Sequence, residues 1–266
     1  MLHARNTALP IAIILASFSA PAAADSLEGD RFSLSLGVFL TDRDTDTRLD
    51  SSVGDGTELD LEDDLGLSSS ESVFRLDGYY RFSERHRVDF STFDLSRNST
   101  AQIQRDIQWG DTLYAIDTVV ESNFDLSIYK AAYTYSFMNS DDGYLGASLG
   151  LYVADAGVGL VEQNIGQAEV GDLTAPLPVI GLRGQRNLSE NWTVRASAEL
   201  FFLEVDNIDG SLVDFFIGVD YAILDHVSIG AGFNSVNIDV KAKQNDFAGE
   251  LNWQYNGGLA YLKFDF

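Results

Sequence analysis

The chain has 266 residues, 45% hydrophobic and 22% charged, a composition that supports a folded body and argues against disorder. It contains no cysteine, which excludes disulfide staples and thiolate metal sites. Lys and Arg number 17 against 41 Asp and Glu, a formal net charge of −24 that argues against a basic face for nucleic acid or anionic phospholipid.

In chain order, residues 1–24 begin with a short basic start (His3, Arg5), continue through an apolar stretch from Ala8 to Ala20 and end in Ala22-Ala23-Ala24 before Asp25. That pattern predicts a secretory signal with an A-x-A cleavage site, and the apolar run is too short for a membrane-spanning helix. Arg5 is its only Lys, Arg, Asp or Glu, so the mature chain 25–266 has 17 − 1 = 16 basic and 41 acidic residues, a charge of −25. No cysteine stands at the cleavage point to carry a lipid anchor. No later stretch approaches 18 consecutive apolar residues, which leaves an exported soluble protein or an outer-membrane barrel.

Almost every later segment alternates with period two, the periodicity of strands. Phe32, Leu34, Leu36, Val38 and Leu40 oppose Ser33, Ser35, Gly37 and Phe39. Phe74, Leu76, Gly78, Tyr80 and Phe82 oppose Arg75, Asp77, Tyr79 and Arg81. The pattern recurs at 145–153, 192–202 and 213–223. Soluble sandwiches alternate too, and loop lengths decide between them. Tight turns fall at Ser83-Glu84-Arg85, Asn139 to Asp142, Ser189-Glu190 and Asp225, while the other connections are long and polar. One rim of short turns and one of long loops is the asymmetry of a transmembrane barrel, with the short turns on the periplasmic side.

Antiparallel partners advance one residue for one, so each hairpin tip should lie near the midpoint of its feet. The feet 31/82, 86/137, 143/188, 191/224 and 226/266 place tips at Gly54-Asp55-Gly56, Gly110-Asp111, Ile165-Gly166, Asn207 to Gly210 and Asn245-Asp246. Turn residues stand at all five. The expected fold is therefore all-β, a transmembrane antiparallel up-and-down β-barrel of ten strands. Twelve would follow if residues 101–122 crossed the membrane, and eight if one hairpin were an external arm. The arms exceed the roughly ten residues needed to span, so the barrel should rise beyond the outer rim. Phe82, Tyr135, Phe137, Trp192, Tyr221 and Phe264 are expected to form the periplasmic aromatic girdle.

The extended first strand, the polar first loop, Leu65-Gly66-Leu67, the Tyr80-Arg81-Phe82 foot and a third strand rising from a tight turn resemble the OmpW-type outer-membrane barrels over residues 31–205. The C-terminal run Leu262-Lys263-Phe264-Asp265-Phe266 resembles the strand by which the barrel-assembly machinery recognises its substrates, with Phe264 and Phe266 as the signal. The OmpW likeness implies an eight-stranded barrel that passes small hydrophobic molecules. Ten strands depart from it, and none of that family's gating residues can be carried over.

Register set from the tight turns points seven basic residues inward, Arg75, Arg81, Arg87, Lys130, Arg183, Arg195 and Lys263, with six acidic ones, Asp77, Asp89, Glu199, Asp214, Asp220 and Asp265. Such a lumen is nearly charge-balanced, either as a self-satisfied filling or as the lining of a path. Arg195 is expected opposite Asp220 and beside Arg183, sharing Glu199. Lys130, facing Gly146, Ser148 and Gly150, reads as a lone cation unless a carboxylate from a non-neighbouring strand reaches it. The remaining 16 − 7 = 9 basic and 41 − 6 = 35 acidic residues put −26 on loops and outer surface.

The first loop is the densest acidic segment. Asp42, Asp44 and Asp46 are weak calcium candidates, without an EF-hand's glycine and distal glutamate. No other cofactor is expected. Barrel enzymes of the outer membrane generally use a histidine base, yet His86 and His226 sit at the short-turn feet, so no activity is expected. The leading function is a passive channel for small solutes or hydrophobic molecules in a Gram-negative outer membrane. The alternative is a non-conducting barrel whose acidic loops meet cations, lipopolysaccharide, ligands or other surfaces.

Overall fold

The computed structural model describes residues 30–163, 166, 168–205, 208–243 and 248–266. The expected signal, residues 1–24, and the expected tip residues Ile165, Asn207 and Asn245-Asp246 lie outside the described residues.

Ten long strands form the wall: β1 (Phe32–Leu49), β3 (Ser70–Ser83), β4 (His86–Gln102), β7 (Val119–Ser140), β8 (Gly143–Glu162), β9 (Ala168–Asn187), β10 (Trp192–Val205), β11 (Ile208–Leu224), β12 (Val227–Lys243) and β13 (Ala248–Asp265). Three short ones lie in the long loops: β2 (Leu59–Asp60), β5 (Ile107–Trp109) and β6 (Thr112–Tyr114). Each wall strand pairs antiparallel with its neighbours in the chain, and β13 returns to β1, from Ser33–Asp265 to Leu49–Gly249. The barrel is closed and ten-stranded. Residues 101–122 do not cross: β5 and β6 form a separate hairpin, turning at Gly110 with a left-handed φ of +56°.

Both faces of the wall change polarity partway up. On β1 the outward positions run Leu34, Leu36, Val38, Leu40 and then Asp42, Asp44, Asp46, while the inward ones run Ser33, Ser35, Gly37 and then Phe39. Leu40 is 65% exposed and its neighbour Thr41 4%. The same exchange occurs after Phe90 on β4, Tyr129 on β7, Val153 on β8, Phe202 on β10 and Phe233 on β12. The outward apolar band, about ten residues tall, matches a bilayer's hydrocarbon thickness. Above it the wall stands in water, so its outer face is polar and acidic and its inner face can hold an apolar core.

The long loops supply that core's centre. Leu59, Leu61, Leu65 and Leu67 from the first loop and Ile103, Ile107, Trp109 and Tyr114 from the second are buried in one cluster with wall residues such as Phe124, Leu160, Leu212, Ile238 and Leu251. The loops also bind each other and the wall: Thr57 N–H donates to Gln108 O at 2.7 Å, Gly110 N–H to Leu49 O at 3.1 Å, and the Tyr114 hydroxyl to Leu160 O at 2.8 Å. Arg97, fully buried, ties the first loop to β4 through an ion pair with Glu62 and hydrogen bonds to Ser68 O and Thr45. An apolar cap thus fills the bore above the membrane.

Candidate functional site

Below the cap the lumen is polar because its outward neighbours must face lipid; strict alternation leaves polar groups only the interior. Arg75 pairs with Asp77 at 3.0 Å and donates to Asn234. Arg87 pairs with Asp89 at 3.0 Å, its guanidinium lying 4.8 Å from the Tyr79 ring and 4.5 Å from the Tyr144 ring. Arg183 bonds Glu199 and approaches Asp89 at 3.8 Å. Arg195 pairs with Asp220 at 2.8 Å, and Lys263 lies between Asp220 and Asp265, at 3.8 and 2.8 Å. Arg81 stands lower, at the short-turn mouth, 5.7 Å from the Tyr79 ring. Lys130 bonds Glu199 and lies 3.5 Å from Asp214, and the Tyr152 hydroxyl bonds both carboxylates.

Three expectations about this lumen are corrected. Lys130 is no lone cation: its partners come from β10 and β11, across the bore, and its ladder neighbour is Tyr152 in place of Gly146, Ser148 or Gly150. The turn sets that register, since Ser140 already faces Gly143 where the expected feet were 137 and 143. Arg195 stands opposite Gly218, and Asp220 opposite Thr193, so their ion pair is diagonal. Arg195 neighbours Gln185 on β9, while Arg183 neighbours Ser197. The two arginines therefore take separate carboxylates. Asn234, Tyr152, Tyr255 and Tyr261 join the network without having been singled out; each occupies an inward position that the alternation marks.

A polar cavity of about 90 Å³ lies among Arg75, Arg87, Lys130, Arg183, Arg195 and Asp214. Towards the short-turn rim it meets a wider mouth at Tyr79, Tyr144 and Gln185. In the other direction it ends under an aromatic layer of Phe39, Phe93, Trp253 and Tyr255, each at most 7% exposed. The Trp253 and Tyr255 ring centroids are 4.6 Å apart, and Phe39 meets Tyr255 edge-on at 5.1 Å. The Arg75 guanidinium sits 6.0 Å below both the Phe39 and Phe93 rings.

At the short-turn rim the girdle residues point outward; Trp192 packs on Tyr221 at 4.8 Å. Phe266 stacks on Phe32 at 6.2 Å and donates its N–H to Phe32 O, which ties the C-terminus to the first strand. His86 bonds the Tyr133 hydroxyl through Nδ1 at this rim, and His226 lies in the turn between β11 and β12.

On the outer surface Asp44 and Asp46 come together with Asp60, one carboxylate oxygen of each lying within 4.8 Å of the others; Asp42 is not in the group. Partial burial, then Asp44, Asp60, Glu58 and Glu62, raise the Asp46 pKa above the usual carboxylate range. A raised native pKa adds stability below the unfolded value near 3.8, and that stability is lost as pH rises through the native one. Asp46→Asn is therefore expected to raise the melting temperature at neutral pH by a few degrees, corresponding to about 0.2–1 kcal/mol for exposed like charges on facing strands. The gain should shrink on acidification; thermal melts at several pH values check it.

This closed antiparallel barrel, apolar outward for one membrane thickness and charged inward, is that of the small outer-membrane β-barrels. Among solved structures it is similar to the outer-membrane protease OmpT of Escherichia coli, with a TM-score of 0.63 at 10% identity over 92% of this chain and 99% of that one. Lower similarity links it to Ail, the attachment invasion locus protein of Yersinia pestis (TM-score 0.37, 15% identity, 89% and 99% coverage). The Pseudomonas putida toluene transporter TodX gives a TM-score of 0.34 at 10% identity, covering 92% of this chain and 89% of that one. No protein-family model and no curated protein matches the chain. These likenesses concern the fold, and they extend to small outer-membrane barrels in general; the OmpW type is not singled out.

Proposed function

We propose that the protein is a non-conducting barrel of the bacterial outer membrane, exported by residues 1–24 and inserted through its C-terminal strand, that presents a folded acidic surface outside the cell. The observation that carries this reading is the apolar cap. A solute entering from the periplasm would meet the aromatic layer and then a dry core in which Leu59, Leu61 and Leu65 are fully buried. Passage would require unpacking that core, and lumen ions that are paired above Arg81 at the mouth offer a permeant ion little exchange. A channel would need both loops to leave the bore together.

The similarity to a protease does not alter this reading, because His86 and His226 lie at the short-turn rim, away from the exposed loops where a substrate outside the cell would dock. Partners of the acidic surface are divalent cations bridging to lipopolysaccharide, with Asp44, Asp46 and Asp60 the best-placed ligands. The test is planar-bilayer recording on the refolded mature protein. No discrete steps are expected; reproducible, ion-selective steps from folded, heat-modifiable protein would replace this reading with the channel.

A further inference from the structure

The wall has two places where a ladder stops while the strands continue. Between β3 and β4 it ends at Arg75–Phe93, and between β9 and β10 at Ile180–Leu200. The first break is sealed by the first loop: Arg97 on β4 holds Ser68 O and Glu62, and Gly66 lies against Ser99 and Ala101. At the second the β5–β6 hairpin reaches Glu169 from inside the bore through Gly110 and Thr112, but no described residue is seen to bond the backbone groups that β9 turns away from β8. Above it β9 runs on to Ala168, paired with β8 alone, while the β10–β11 hairpin turns back at Val205–Ile208.

The sequence shows which backbone groups this edge offers. Pro176 and Pro178 lie in β9 and keep their pairing with Val153 and Leu151 of β8. A proline survives in a strand only where no ladder needs its N–H, and alternate residues point their N–H and C=O to the same side. The even-numbered residues of β9 therefore face away from β8. The prolines block the lower edge; above them Val170, Asp172 and Thr174 offer their backbone groups, and all three are exposed. Asp172 and Thr174 are polar, and their β8 neighbour Asp155 lies above the outward apolar band that ends at Val153, so the edge stands outside the membrane.

We infer that residues 168–175 of β9 form a strand-addition site for an extended cationic polypeptide. An unpaired edge is a template for another strand, with main-chain hydrogen bonds supplying affinity and neighbouring side chains specificity. The charged neighbours here are Asp172 on the edge and Glu204 and Asp209 on the facing hairpin, with Lys241 of β12 beside Asp209 and no Lys or Arg in 168–175, 201–205 or 208–212; Glu169 points into the bore, to Thr112. The same charges oppose edge-to-edge pairing of two copies of this chain, since Asp172 lies near the middle of the segment. The inference deepens the reading of a surface-presenting barrel by naming a partner class, yet the edge exists whether or not the lumen conducts.

The test uses the full mature protein in nanodiscs and a labelled eight-residue peptide alternating lysine and valine, compared with one whose valines are prolines. Saturable binding at least tenfold tighter for the valine peptide is expected, with slowed amide exchange confined to 168–175. Thr174→Pro, which extends the proline block, should weaken binding about tenfold; if that variant loses heat-modifiability, Asp172→Lys serves in its place. Equal binding of both peptides, protection spread over the acidic surface, or no binding overturns the site. So does a dimer that Thr174→Pro dissolves, because the occupant would then be a second copy. Bilayer conductance tests the closed-barrel reading separately, and neither result decides the other.

Discussion

Trp109→Ala is expected to lower the unfolding free energy by about 3–5 kcal/mol, the range for removing a large aromatic side chain from a packed interior. Trp109 is 1% exposed and sits on the β5–β6 hairpin, which contributes no strand to the wall. The loss should therefore fall on the cap while the barrel ladders persist, so the variant should still insert and remain heat-modifiable. Denaturant titration followed by fluorescence reads it, because Trp253, also 1% exposed, reports on the same interior. Val53→Ala, at a loop position 94% exposed, should stay within about 0.5 kcal/mol and serves as the control. A Trp109→Ala loss below about 1 kcal/mol would mean that the hairpin does not dock into the bore, and with it would go the main reason for regarding the barrel as closed.

The wall was legible in the sequence because its physics is local. Period two marks each strand, short turns mark one rim, and the midpoint rule places the Gly54–Gly56 and Gly110–Asp111 tips where the chain turns between its partners. The height of the membrane could be read as well, since on one face of β1 Leu40 gives way to Asp42. The cap was not read. Leu59, Leu61, Leu65 and Leu67 are spaced among carboxylates, and the loop's charge hid four apolar side chains that water would not leave exposed. Register resisted for a different reason: a shift of a residue or two in where a hairpin turns re-pairs the whole ladder, putting Ser140 opposite Gly143 and Arg195 opposite Gly218, and no residue type announces it. Contacts across the bore, such as Lys130 with Glu199, depend on barrel closure and diameter, which no single hairpin specifies.

That cross-bore pairing carries the second large effect. Lys130→Met should cost about 3–5 kcal/mol, because it leaves Glu199 and Asp214 as buried carboxylates without their shared cation. The Glu199 side chain is 0% and that of Asp214 6% exposed, and a water from the neighbouring cavity would bring a dipole in place of the lysine's charge. Arg183 still reaches Glu199, and Asn234 donates to Asp214 Oδ1 at 2.7 Å, which keeps the loss from being greater. If uncompensated charge is the cause, lost packing being secondary, then Glu199→Gln in the Lys130→Met background should recover about 1–3 kcal/mol, since it removes the stranded charge while retaining shape. A double variant no more stable than Lys130→Met alone would assign the cost to the lysine's methylene stem against Tyr152, whose ring lies 4.8 Å from Nζ. The distinction bears on function. A lumen whose ions balance one another is a rigid filling that tolerates paired neutralisation, whereas one built to pass anions would need its cation free of carboxylates, and Lys130 has two.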